Sequence, residues 1–323
     1  MLHFPKISIV TPSFNQGQYI EQTILSIINQ GYPKLEYIII DGGSIDETID
    51  IIKKYEAHIT YWVSEPDKGQ SDALNKGLAK CTGDIFNWIN SDDLLAENSL
   101  MEIANQFINR PRTELFIGKG SIFLDDINKP LYLKQTNILS TLEETFVVGD
   151  FNQQGMFYKF SIIKDLGGIN SLLTYVMDLE LYFRYLIKYG SDNIFFSQTT
   201  LGHFRLHDSS KTVSLENIFQ KERYALFATI IGERKSPFFY RFFIGKLKEN
   251  ILKKNTLDKR VLYRLLAEQE FYRIYKYKSK AVSKELFKAY SHCKHFKWNR
   301  NTISIFIKLF IINIRFRKFF NAP

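Results

Sequence analysis

Apolar residues alternate between two periods over the first hundred positions. Residues 6–10 form a short apolar run that ends in the turn-rich Thr11-Pro12-Ser13-Phe14-Asn15. Residues 18–30 then set Ile20, Ile24, Ile27 and Ile28 at helical spacing and stop at Gly31 and Pro33, which is how a helix ends. A continuous apolar run at 36–40 predicts a second strand closing on Asp41-Gly42-Gly43. Ser44-Ile45-Asp46-Glu47 has the form of a capping box, in which Ser and Glu satisfy each other's orphan N–H groups, and predicts a helix opening there. Strands at 59–63 and 84–89 and a helix at 70–81 complete a βαβαβαβ order. That order implies a mostly parallel sheet covered by helices on both faces.

The polar residues carry as much information as the apolar ones. They cluster where each predicted strand ends, at 11–15, 41–44, 64–68 and 90–93. Ligands of open α/β sheets bind at the carboxyl ends of strands, so four such clusters on one rim predict one site. Beyond Leu94 the pattern is less regular. Strands are expected at 115–124, 152–159 and 201–206. An amphipathic helix is expected at 178–189, with Leu179, Tyr182, Phe183, Leu186 and Ile187 on one face and Gly190 ending it.

Composition divides the chain in two. Residues 233–323 hold 23 Lys and Arg against 6 Asp and Glu, a net of +17, whereas 1–232 carry a net of −8. The expected organisation is an α/β catalytic domain over 1–215 and a basic, aromatic-rich helical region over 216–323. Only two cysteines occur, Cys81 and Cys293, which excludes a disulfide scaffold and suits a reducing cytoplasm. The N-terminus reads as a first strand, not a secretion signal. The longest apolar stretch, 302–314, is short and carries Lys308 in its middle, so no spanning helix is expected.

Two carboxylate sites follow from this reading. Asp92 and Asp93 end a buried strand. Alone, either would serve as the N-cap of a helix expected near 96–107. On the shared rim, the pair instead suits a divalent cation held against a diphosphate, because Mg²⁺ uses one or two carboxylates plus substrate phosphates. Asp178 and Glu180 stand at the start of the 178–189 helix. Two residues apart, they do not share a face, so only one of them can point into a site. Asp178, at the helix terminus, is the choice, and Glu180 supports a neighbour or faces solvent.

The segments IVTPSFNQGQYIEQTILSIINQ, YIIIDGGSIDET, EPDKGQSDALNKGLAKCTGDI and NWINSDDLL are similar, in order, to the motifs of family 2 glycosyltransferases. The resemblance runs from about Ile7 to Lys211. It implies the Rossmann-like A-type glycosyltransferase fold and an inverting, non-processive transfer of a sugar from a nucleotide-diphosphate donor, with uracil the best-fitting base.

It also implies roles for residues. Thr11, Pro12 and Ser13, with Asn15 in the same turn, line the base and ribose. Asp41 hydrogen-bonds the base. Lys68, Asp72 and Asn75 approach the base, ribose and phosphates, whereas Lys76 fits a solvated helix lysine equally well. Asp93 binds Mg²⁺ or Mn²⁺, and Asp92 lies between ribose and metal. Many relatives have three acids here; this chain has Ser91 at the first. Asp178 is the general base, Gln153 and Gln154 lie beside the donor sugar or acceptor, and His207 contacts the metal or a phosphate, with Arg205 and Lys211 adding positive charge. His203 is the weaker candidate of the two histidines.

The acceptor implied is a saccharide or lipid-linked saccharide, in cell-surface polysaccharide synthesis. The basic tail fits either a solvated helical bundle or an anionic membrane surface, with 298–320 the best segment for the latter. The enzyme is therefore expected in the cytoplasm, peripheral to the membrane. Gln220-Lys221-Glu222-Arg223-Tyr224 matches the Q-x-x-R-W motif of processive polymerases imperfectly and is read as coincidence. A nucleotidyltransferase would want a Gly-rich phosphate loop where 11–15 stands. A nicotinamide-dependent reductase would want G-x-G-x-x-G after the first strand. Nucleic-acid binding is disfavoured by the acidic body and the lack of a recognisable motif. A non-catalytic sugar-nucleotide binder differs from an enzyme only by turnover.

Overall fold

The computed structural model describes residues 4–208, 210, 222, 223 and 226. The 215/216 boundary, Lys211, the proposed membrane segment and most of the basic tail lie outside the described residues. Those described divide into two compact units, 4–137 with the described part of 150–226, and 138–149.

The first unit opens with β1 (Ile7–Ser13), α1 (Gly17–Ile28), β2 (Leu35–Asp41), α2 (Thr48–Lys54), β3 (Tyr61–Ser64), α3 (Gln70–Leu78) and β4 (Ile85–Trp88). The alternation expected from the apolar periods is therefore present, with shifted ends. β2, β1 and β4 are buried along nearly their whole length, as strands covered on both faces must be. Ile20, Ile24 and Ile27 of α1 are fully buried against the isoleucines of this sheet. Each such side chain is worth about 2–3 kcal/mol of transfer free energy. Gly77 lets α3 lie close on β1, since a Cβ there would sit 2.5 Å from Val10 Cγ1.

Then come β5 (Leu94–Leu95), α4 (Ser99–Asn109), β6 (Leu115–Phe123) and β7 (Tyr132–Gln135). In the second unit, α5 (Leu142–Val148) is N-capped by Thr141, whose Oγ1 accepts from Glu144 N at 3.1 Å. The first unit resumes with β8 (Met156–Lys159), α6 (Phe160–Leu166), α7 (Met177–Tyr189) and β9 (Ile194–Arg205).

The sheet order is β3-β2-β1-β4-β8-β6-β9-β5, with β7 also paired to β6. The expectation of a mostly parallel sheet holds for β3, β2, β1 and β4. The other half is mixed: β8 runs antiparallel to both β4 and β6, and β9 runs parallel to β6. β5 then pairs antiparallel with β9 through Leu94 and Leu95. That short pairing brings the segment after β4 beside the end of β9.

One local expectation is corrected, and one rejected alternative is absent. The capping box does not form: α2 starts at Thr48, and Glu47 at its N-cap makes no side-chain cap bond. Ser44 instead donates its hydroxyl to Asp41 Oδ1 at 2.5 Å and accepts from Asn15 N at 2.7 Å. Asp93 and Asp92 are not caps either, since α4 begins at Ser99 with Asn98 at the N-cap.

Candidate active site

A cavity of about 330 Å³ opens where β1, the β4–β5 connection and the start of α7 converge. Its walls include Pro12, Ser13, Asp92, Gln154 and Asp178. These expected site residues, with Gln153 beside them, are thereby brought together. The polar strand ends supply one wall, and the two segments that hold the carboxylates supply others.

The adjacent aspartates differ sharply. Asp92 lines the cavity, and its Oδ2 lies 3.1 Å from His207 Nε2. The His207 ring packs on Tyr19, with centroids 4.5 Å apart. Arg205 braces this corner from β9. Its Nε donates to the Asp92 carbonyl at 3.0 Å, and Nη2 to Gln22 Oε1 at 2.6 Å. Asp93 is fully buried and does not line the cavity. Its Oδ2 accepts from Gln154 Nε2 at 2.8 Å and Asn90 Nδ2 at 3.0 Å, and Oδ1 accepts from Arg205 N at 3.1 Å. Burial, and then the neighbouring Asp92, push its carboxyl well above the ordinary carboxylate range. Asp93 thus ties the β4–β5 connection to β9.

Asp178 sits in the first turn of α7, where Oδ1 accepts from Leu179 N at 2.7 Å. Burial is the main influence on its carboxyl, raising its pKa from 3.8 to about 6, with Lys134 opposing. Glu180 does not enter the cavity. It is buried and pairs with Arg184 at 2.7 Å on the same helix, supporting a neighbour as expected.

Several expected donor residues stand elsewhere. Asp41 is fully buried. Its Oδ2 accepts from Gly43 N, Ser44 N and Ser64 Oγ, and its Oδ1 from Ser44 Oγ. Both oxygens hold the strand-end turn. Thr11 is buried and accepts from Tyr37 Oη at 3.2 Å. Asn15 holds Ile45 N at 3.0 Å. Asn75 joins α3 to Ile169 through both ends of its amide. Asp72 accepts from Lys68 N at 3.1 Å, and neither side chain lines the cavity. Lys76 pairs with Glu65 at 2.7 Å, which fits its solvated reading. His203 meets Ser121 Oγ at 2.6 Å across the β6–β9 pair and does not line the cavity.

The sequence reading missed other wall residues. Phe14 is 58% exposed and lines the cavity beside Asp67. Gly42 makes this approach possible, because a Cβ there would meet Asp67 Oδ2 at 2.7 Å and the Phe14 ring at 3.3 Å. An exposed aromatic directly after a strand was the available signal. Gln70 donates to Asn90 Oδ1 at 2.7 Å, and Asn90 donates on to Asp93, forming a polar line across the floor. Ser13 Oγ and Gln16 Oε1, both on cavity-lining residues, are buried without a hydrogen-bond partner. Unpaired buried oxygens cost free energy, and a polar ligand in the cavity would satisfy them.

Residues 8–171 match the model of glycosyl transferase family 2. An uncharacterised glycosyltransferase of Mycobacterium tuberculosis is 28% identical over 190 residues, covering 57% of this chain and 70% of that protein. The poly(ribitol-phosphate) beta-N-acetylglucosaminyltransferase TarP of Staphylococcus aureus is 34% identical over 122 residues, covering 36% of this chain and 37% of TarP.

Among solved structures, S. aureus TarS 1–349 in complex with UDP superposes with a TM-score of 0.57 at 16% identity, covering 86% of this chain and 74% of that one. The mannosyltransferase PcManGT from Pyrobaculum calidifontis, in complex with GDP-Man and Mn²⁺, gives 0.51 at 17%, covering 97% and 87%. These structural likenesses speak for the fold, while the family match spans half the sequence, including β1 to β8 and the Asp92–Asp93 pair. The chain belongs to glycosyl transferase family 2.

Proposed function

We propose that this glycosyltransferase moves a sugar, with inversion, from a nucleoside diphosphate sugar to a hydroxyl of a saccharide acceptor. The observation that carries the reading is the placement of Asp92 and Asp178 on one cavity, from different elements. The first stands at a basic corner with His207 and Arg205. The second is a carboxylate whose pKa is drawn toward neutrality, as a general base requires.

Phe14 and Ser13 form the wall for the base and ribose, and Asp92 with His207 marks the diphosphate end. Asp178 takes the proton of the acceptor hydroxyl as its oxygen bonds to the sugar's anomeric carbon, and the bond to the nucleoside diphosphate breaks. One base and one displacement give inversion, and no carboxylate nucleophile is required.

The donor set at the diphosphate end, one carboxylate and one imidazole facing each other, suits a divalent cation that takes its other ligands from phosphates and water. The nitrogen ligand favours Mn²⁺ over the harder, oxygen-seeking Mg²⁺. When bound, such a cation supplies positive charge to the leaving diphosphate. The role expected of Asp93 thus passes to Asp92, and Asp93 with Gln154 becomes its support.

UDP is the favoured nucleotide, from the complex named for TarS, with GDP the alternative from PcManGT. The TarP likeness favours a polymer acceptor of the poly(ribitol-phosphate) kind. No described helix is long and apolar enough to cross a membrane. A peripheral membrane role remains a proposal about the basic tail. Turnover of nucleotide sugars by wild type and by Asp178→Asn tests the reading. Asp178→Asn should lose at least 100-fold in rate while still binding the donor; equal rates would refute it.

A further inference from the structure

The segment that brings Asp178 to the cavity, residues 167–176, has no regular secondary structure of its own. Its first part is held from α3. Asn75 bonds both Ile169 O and Ile169 N, and Ser71 Oγ donates to Leu173 O at 2.5 Å. After Leu173 the support comes from one side chain far along the chain. Glu222 Oε1 accepts from Thr174 N at 2.8 Å, and its Oε2 accepts from Tyr175 N at 2.5 Å and Val176 N at 2.9 Å.

Three successive amides on one carboxylate form an anion cradle. Helix α7 has no side-chain cap of its own, because its N-cap is Val176, which has no oxygen to offer. Glu222 supplies the missing acceptor from 46 residues away, and a negative charge is favourable at this end of a helix. Thr174, Tyr175, Met177 and Asp178 all line the cavity, whereas Glu222 does not. Its contacts therefore fix a cavity wall from behind.

We propose that Glu222 is a positioning residue: its carboxylate, gripping the amides of Thr174, Tyr175 and Val176, sets the wall that presents Asp178 to the acceptor. The catalytic consequence rests on the reading of Asp178 as the base; the cradle itself does not. Charge agrees with the geometry. Lys134 on β7 favours ionised Asp178, and Glu222 opposes it. Lys134 in turn feels Asp150 and Arg223. Glu222 belongs to the segment whose likeness to a polymerase motif reads as coincidence in sequence, and this role needs no such motif.

The test compares wild type, Glu222→Gln, Glu222→Asp and Asp178→Asn as full chains. Amide hydrogen exchange reports on residues 174–176. Release of nucleoside diphosphate from UDP-N-acetylglucosamine or GDP-mannose, with Mn²⁺, reports on turnover. Glu222→Gln puts an amide NH₂ where a carboxylate oxygen accepted. It should speed exchange at 174–176 at least tenfold and lower kcat at least tenfold. The donor KM should stay within twofold, because the donor wall comes from β1 and the β4–β5 connection. Glu222→Asp keeps the charge and should recover part of both losses. Unchanged exchange in Glu222→Gln would overturn the cradle, and faster exchange with unchanged kcat would overturn the positioning role. Full turnover by Asp178→Asn would refute the base reading separately, whatever the exchange result.

Discussion

His207 Nε2 and Asp92 Oδ2 stand 3.1 Å apart, joining the end of β9 to the connection after β4. The pair exists because β5 and β9 align Leu94 with His203, which carries the chain after Arg205 back over Asp92. If this pair holds Mn²⁺, Asp92→Asn or His207→Ala should weaken Mn²⁺ binding by about 10–100-fold. Isothermal titration in the presence of UDP would measure it. Neither change should lower the melting temperature much, since both side chains are partly open to solvent.

Asp93→Ala should behave in the opposite way. It leaves Gln154 Nε2, Asn90 Nδ2 and Arg205 N without their acceptor. Such losses cost about 1–3 kcal/mol for each group left unsatisfied, less where water enters. Denaturant unfolding should show a loss of stability on the order of 2–4 kcal/mol. A stable Asp93→Ala protein that had lost only metal affinity would contradict the assigned support role.

The raised pKa of Asp178 gives two pH effects of defined sign. The base acts when ionised, so turnover should fall about tenfold per unit below about pH 6 and level off above it. Stability runs the other way. The folded-state pKa lies above the unbonded value of 3.8, so the group's contribution is fullest below that value and is lost as pH rises through about 6. Asp178→Asn should therefore be more stable than wild type at pH 8, with the difference closing toward pH 4. Urea titrations at both pH values check this.

Phe14, directly after β1, is exposed and lines the cavity. Stacking of a base on an aromatic ring is worth about 1–3 kcal/mol. Phe14→Ala should then weaken UDP binding by roughly 5- to 150-fold, whereas Phe14→Tyr should leave it nearly unchanged. Equal affinity in all three proteins would remove the base from this wall.

How much of this was legible in the sequence depended on burial. β1, β2 and β4 announced themselves because strands covered on both faces are continuous apolar runs. Polar residues after β1, β3 and β4 line the cavity, whereas those at 41–44, at the end of β2, do not. β5 has two residues and β7 is an exposed edge strand, so neither carries a period to read. The first residues of β9 are only partly buried or exposed, which hid seven residues of it.

The register of the two aspartates was hidden for a different reason. Asp92 lies in a turn closed by Asp93 N donating to Asn90 O at 3.0 Å, and no apolar period says which of the two side chains such a turn sends to the cavity. The capping box at Ser44 failed as a reading because the hydroxyl that would cap a helix is used by the Asp41 carboxylate. Long-range pairings such as Glu222 with 174–176 leave no local signature.

The most direct measurement is binding of UDP-N-acetylglucosamine and GDP-mannose, by thermal shift with and without Mn²⁺, to wild type and Asp92→Asn. A ligand at 100 times its Kd adds about 2.7 kcal/mol to folding stability. Wild type should be stabilised by at least one of them, an effect that depends on Mn²⁺ and is lost in Asp92→Asn. Stabilisation by neither sugar nucleotide with Mn²⁺ present, or equal stabilisation of Asp92→Asn, would contradict the proposed function.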